Sequence, residues 1–133
     1  MNVLTSITVL GFLIFFHEMG HFLAAILQGI YVDGFSIGFG PSIIQKKFRD
    51  ITYSFRAFPL GGFVSFPDEE LNNIDPKDPN LLKNRPIIQR VIVISAGVFA
   101  NLILAYSILI INVTTVGIPF DPEPGILVLA TQP

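Results

Sequence analysis

The residue types and spacing best suited to chemistry lie in one short stretch, His17-Glu18-Met19-Gly20-His21. Two histidines at i and i+4 share one face of an α-helix and stand about 6 Å apart along its axis. That is close enough for both imidazoles to ligate one tetrahedral zinc ion at roughly 2.0–2.1 Å. Glu18 lies about 100° around the helix from His17, where a carboxylate reaches the water on such a metal and not the metal itself. Zinc lowers the pKa of that water to about 7, so a neighbouring carboxylate can take its proton as it attacks a peptide carbonyl, then hand it to the leaving amine. The chemistry is peptide-bond hydrolysis, with His17 and His21 as metal ligands and Glu18 as the catalytic base.

The element that must carry this motif is apolar on both sides of it. No charged side chain occurs from Val3 to Phe16, and after His21 the apolar run resumes from Phe22 to Leu27. Residues 1–28, taken as one helix, are long enough to cross a bilayer with some tilt. His17 is then about 14 residues in, about 21 Å down a hydrocarbon core of about 30 Å. An ionisable side chain at such depth costs about 2.5–3.5 kcal/mol on insertion scales, which weighs against a chance run of polar residues. A cleaved signal peptide ending near Leu23-Ala24-Ala25 would need a basic leader, which the chain lacks. Residues 91–117 supply the second span, since Val91 to Ile111 carries no charge and Gly117 and Pro119 follow.

Composition agrees with a membrane protein: of 133 residues, 51% are hydrophobic and 14% charged, too few charges to cover a soluble core of this size. Eight Lys plus Arg against ten Asp plus Glu leave a net charge of −2, and no basic tract marks a nucleic-acid partner. The absence of cysteine excludes a disulfide framework and a thiol nucleophile. All eight basic residues lie between the two spans, and Asp121 and Glu123 follow the second. The positive-inside rule therefore makes the middle block cytoplasmic and both chain ends extracytoplasmic.

Within that block, residues 29–66 read as sheet. Ile51, Tyr53, Phe55 and Ala57 alternate with Thr52, Ser54, Arg56 and Phe58, and a hairpin is expected from Ile43–Phe48 through an Arg49-Asp50 turn to Ile51–Phe58. Residues 67–90 begin as a polar loop containing Asp75-Pro76 and Asp78-Pro79, with a short amphipathic helix expected on the membrane surface over Leu81–Arg90. The predicted fold is a membrane α-helical one: two transmembrane helices joined by a cytoplasmic loop that contains a β-hairpin.

These segments together resemble the site-2 protease family of membrane-embedded zinc metalloproteases, in particular the bacterial type with a PDZ domain between its second and third spans. His17, Glu18 and His21 match the catalytic motif, Ile37-Gly38-Phe39-Gly40-Pro41 a glycine-rich segment, and Pro59-Leu60-Gly61-Gly62-Phe63-Val64 the membrane-associated β-loop. Ser95 to Asn101 looks like the motif of the second span, and residues 118–133 resemble the start of the PDZ domain. Val98 stands where the family usually has proline, so a straighter helix is expected. The resemblance implies an intramembrane protease that needs Zn2+, cleaves transmembrane segments of membrane proteins, and is multi-pass in the plasma (inner) membrane with its active site near the cytoplasmic face. It also implies a third zinc ligand, an Asp in a later span. Asp68, Glu69, Glu70, Asp121 and Glu123 are poorly placed to substitute for it. The chain reads as an N-terminal portion, expected to insert in the lipid bilayer but not to hydrolyse by itself.

Gly38, Gly40, Gly61 and Gly62 suit either turns or close approach of backbone to substrate. Thr52 to Phe58 is a candidate free strand edge for binding an unwound substrate. Asn101 suits a helix–helix hydrogen bond or a substrate contact, and Gly97 suits close packing on the first span. A divalent-metal transporter would repeat ionisable groups in its second span, and a catalytically inactive scaffold of the same family would lack a motif residue. Neither pattern is present. Cysteines placed at Asn73 and Glu123 are expected to react with impermeant reagents from opposite sides of the membrane. Labelling of both from outside would contradict the charge-based topology.

Overall fold

A computed structural model describes residues 2–117; the expected PDZ-like start at 118–133, with Asp121 and Glu123, lies outside the described residues. The elements follow as α1 (Val3–Leu27), β1 (Gly34–Phe48), β2 (Ile51–Ser65), α2 (Glu69–Asn72) and α3 (Ile87–Val116). Helix α1 starts where the Asn2 side chain accepts the Thr5 N–H at 2.9 Å, and it ends beside Gly29, whose φ of +68° turns the chain away.

Helix α3 starts at Ile87 because Pro86 disfavours helical geometry in the residue before it, and Arg85 is extended at φ −74° and ψ 149°. The interfacial helix expected over Leu81–Arg90 therefore does not form. Leu82–Asn84 is a single 3₁₀ turn, and Ile87–Arg90 belong to α3, which runs without interruption through Val98. The polar loop expected before it contains one helical turn, α2, where the Asp68 carboxylate accepts the N–H groups of Glu70 and Leu71.

With 25 and 30 residues, α1 and α3 are about 37 and about 45 Å long, and both are long and apolar enough to cross a membrane. Their outward faces are apolar and bare: Phe12 of α1 is 51% exposed, and Leu102, Ile103 and Tyr106 of α3 are 60–67% exposed. A core helix of a soluble protein would bury such side chains.

The helices run antiparallel, since Arg85 before α3 donates to the Gly29 carbonyl after α1 at 2.9 Å, while His21 meets Val93 and Gly20 meets Ala96 and Ala100. Contact at Gly20 is so close that an added Cβ would lie 2.5 Å from the Ala96 carbonyl oxygen and 2.7 Å from Ala100 Cβ. Small residues allow this approach, and in an apolar solvent van der Waals contact is what holds two helices together.

The sheet packs alongside α1. Phe48 pairs with Ile51 across Arg49 and Asp50, both at positive φ (47° and 67°), the hand that suits a tight hairpin. Each strand also bends back, so that Gly34–Ile37 pairs with Thr52–Phe55 and again with Gly62–Ser65. Gly61 makes the second bend at φ +105°, and a Cβ there would run into the Phe39 ring. Thr52–Phe55 also pairs with Ile44–Lys47, so most of the segment expected as an edge is interior. Gly62–Ser65, paired with β1 on one side alone among the described residues, is the edge that lies against α1. A small core of Ala25, Ile30, Val32 and Val93, extended by Phe22, Val64, Phe66 and Leu82, ties both helices to the base of the sheet.

Candidate functional site

Helix α1 turns His17 and His21 toward α3. Their Nε2 atoms converge to 3.1 Å, and the rings are 80° apart with centroids 4.8 Å from each other. Two nitrogens each about 2.05 Å from a tetrahedral metal stand about 3.3 Å apart, so the pair has the spacing of two zinc ligands. The Nδ1 atom of His21 lies 2.6 Å from the Val93 carbonyl oxygen. A carbonyl only accepts, so the proton is on Nδ1 and the Nε2 lone pair is free to ligate, the outer-shell arrangement typical of metal-binding histidine. The two histidines therefore fit zinc. Among the described residues, no third His, Cys, Asp or Glu completes a cluster with them.

Glu18 faces the sheet. An added Cβ on Gly62 would lie 2.9 Å from Glu18 Cγ, so the edge strand and the carboxylate side chain are in contact. Cavities open on either side of this contact. One, of about 410 Å³, is lined by Leu10, Leu13, Ile14, His17, Gly61 and Asn101 together with Glu18 and Gly62. The other, of about 430 Å³, is bounded by Glu18, His21, Gly62, Phe63, Phe66 and Val93, among others. Among the described residues Asn101 Oδ1 is buried without a hydrogen-bond partner, so the helix–helix hydrogen bond expected of Asn101 is not made through that oxygen.

The structure thus gathers His17, Glu18, His21, Gly61, Gly62 and Asn101 around one place. It puts Gly38 and Gly40 elsewhere: each has positive φ, and each backs onto β2, at the Phe58 carbonyl and the Phe58 ring respectively. The sequence reading did not identify the Val93 carbonyl, which belongs to the backbone and has no residue-type signal. The Gly62–Ser65 edge was missed for a similar reason, because a period of two does not tell a paired row from a free one.

Comparison with known proteins gives the family. Residues 5–130 match peptidase family M50, and the chain belongs to that family, the site-2 proteases. The membrane metalloprotease ARASP of Arabidopsis thaliana, chloroplastic, is 53% identical over 96% of this chain and 29% of its own length. The Nostoc sp. protein all3971, which bears a zinc metalloprotease name, is 53% identical over all of this chain and 37% of its own. The Synechocystis sp. protein slr1821, similarly named, is 52% identical over 94% and 34%. The chain thus spans about a third of the length of these relatives.

Because Gly62 touches Glu18, Gly62→Val in the full-length protein should displace the carboxylate or the edge strand. A shift of about 1 Å at a reacting group lowers turnover by about 10²-fold. Zinc content should stay at the wild-type level, measured by metal analysis beside a cleavage assay. Wild-type turnover in this variant would contradict the contact's importance.

Proposed function

We propose that the whole protein is an intramembrane zinc metalloendopeptidase that cleaves transmembrane segments of membrane-protein substrates. The observation that carries this reading is the convergence of His17 and His21 Nε2 at 3.1 Å, with Glu18 between them in sequence and in contact with a strand edge that is paired on one side alone among the described residues. His17 and His21 hold the metal in this reading, and the third ligand is an Asp of a later span. Zinc, when bound, supplies a Lewis acid that makes water nucleophilic at neutral pH.

The Glu18 carboxylate takes the proton of the attacking water and returns it to the amine nitrogen as the peptide bond breaks. A substrate helix cannot present its carbonyls, because each is already hydrogen-bonded within the helix. The edge Gly62–Ser65 offers an exchange: an unwound substrate segment pairs with it as an added strand, which lays the scissile bond beside Glu18. Side chains on either side of that bond enter the two flanking cavities, and Asn101 Oδ1, unpartnered among the described residues, accepts a substrate N–H. The excess of Lys and Arg between the spans supports a cytoplasmic loop, a multi-pass protein of the plasma membrane, and an active site nearer its cytoplasmic face.

In the full-length enzyme, Glu18→Gln keeps the side chain's size but cannot accept the proton. Turnover of a transmembrane substrate should fall by about 10² to 10⁴ with zinc retained. His17→Ala or His21→Ala should lose both zinc and activity. Near wild-type cleavage by Glu18→Gln would remove Glu18 from this role, and neither a transporter nor a scaffold would show such a split.

A further inference from the structure

The least explained contact at the site comes from a residue with no side chain. Gly97 is buried in α3, and a Cβ built on it would fall inside contact distance of His21 Nε2, 2.7 Å from His17 Nε2 and 2.8 Å from His17 Cε1. The two nearest atoms are thus the two nitrogens that face each other across 3.1 Å. Contacts this short leave no room for even a methyl group. Either the rings would swing away, or α3 would move off α1.

The second escape is blocked by two other contacts. Gly20 is seated on Ala96 and Ala100, one residue before Gly97 and three after it, with no slack. Val93 lies one turn before Gly97, and its carbonyl, which already accepts the Gly97 N–H within the helix, uses its second lone pair for His21 Nδ1 at 2.6 Å. That bond can form only while the α3 backbone stays against the histidine rings.

We propose that Gly97 is a positioning residue for the metal site. Its missing side chain lets the α3 backbone approach until the Val93 carbonyl fixes the orientation and tautomer of His21, and until both Nε2 atoms stand at ligand spacing. The proposal rests on the reading of His17 and His21 as metal ligands. It assigns to α3 a part in metal binding although that helix contributes no ligand. It also separates Gly97 from Gly11, which is on α1 and where an added Cβ would meet only the Pro59 carbonyl, at 3.3 Å.

The test is zinc affinity of the purified full-length protein, measured by chelator competition, with thermal unfolding of the metal-free form as a check on folding. Gly97→Ala should weaken zinc binding by about 10- to 100-fold, the usual effect of disturbing a ligand's supporting contacts. Gly11→Ala should leave affinity unchanged, and His17→Ala should abolish it. If His17→Ala removes zinc but Gly97→Ala binds as wild type does, the positioning role is wrong and the ligand assignment stands. If His17→Ala keeps its zinc, the ligand assignment fails and takes this proposal with it. Nitrogen-15 spectra of histidine-labelled, zinc-free wild-type protein decide the matter even where Gly97→Ala does not fold. They should show neutral His21 protonated at Nδ1 and bare at Nε2, and the opposite tautomer would overturn the proposal. In folded Gly97→Ala that tautomer preference should be lost, and its retention would overturn the proposal.

Discussion

Close approach of two helix backbones is the constraint on which the rest of this structure depends. At Gly20, α1 rests on Ala96 and Ala100 of α3, and at Gly97, α3 rests on the His17 and His21 rings. Between two apolar helices in lipid there is no hydrophobic gain from association, so contact of this kind and the few polar bonds it permits must hold the pair. The bond from His21 Nδ1 to the Val93 carbonyl is one of those, and it serves packing and site geometry together. Three ionisable side chains in an apolar helix are otherwise expensive, and directing two of them at a partner helix is how such groups are accommodated.

The sheet completes the site from the other direction. Its strands fold back on each other, so that the interior rows Gly34–Ile37 and Thr52–Phe55 are paired on both sides while, among the described residues, Gly62–Ser65 is paired on one side alone. Backbone groups left unpaired in an apolar surrounding carry a penalty that an added strand relieves. The same edge touches Glu18 through Gly62, where the lack of a side chain brings main chain and carboxylate together. The strand edge and the Glu18 side chain are thus adjacent because one residue is small.

Much of this was legible from residue order. The i, i+4 histidines mark their helix face regardless of the surroundings, and uncharged runs mark the long helices because apolar length alone decides the matter. The Arg49-Asp50 turn was equally local. What failed was non-local or lay in the backbone. Thr52–Phe58 alternates as an edge strand would, yet pairing partners far away in the chain made most of it interior. Leu81–Arg90 has helical periodicity, but Pro86 divides it, and one steric rule outweighed the pattern. Gly97 was recognisable as a packing residue, but which rings it meets depends on the register of α3 on α1. Asn101 suited either of two roles; it lines one of the cavities, and among the described residues its Oδ1 has no partner.

His17 and His21 are proposed to hold one zinc ion through their Nε2 atoms, in the arrangement that α3 sets. X-ray absorption at the zinc edge of the purified full-length protein tests it most directly. Expected are two imidazole nitrogens at about 2.0–2.1 Å in the wild type, and no bound zinc in His17→Ala or in His21→Ala. A zinc environment without imidazole scattering, or one unchanged by either substitution, would contradict it.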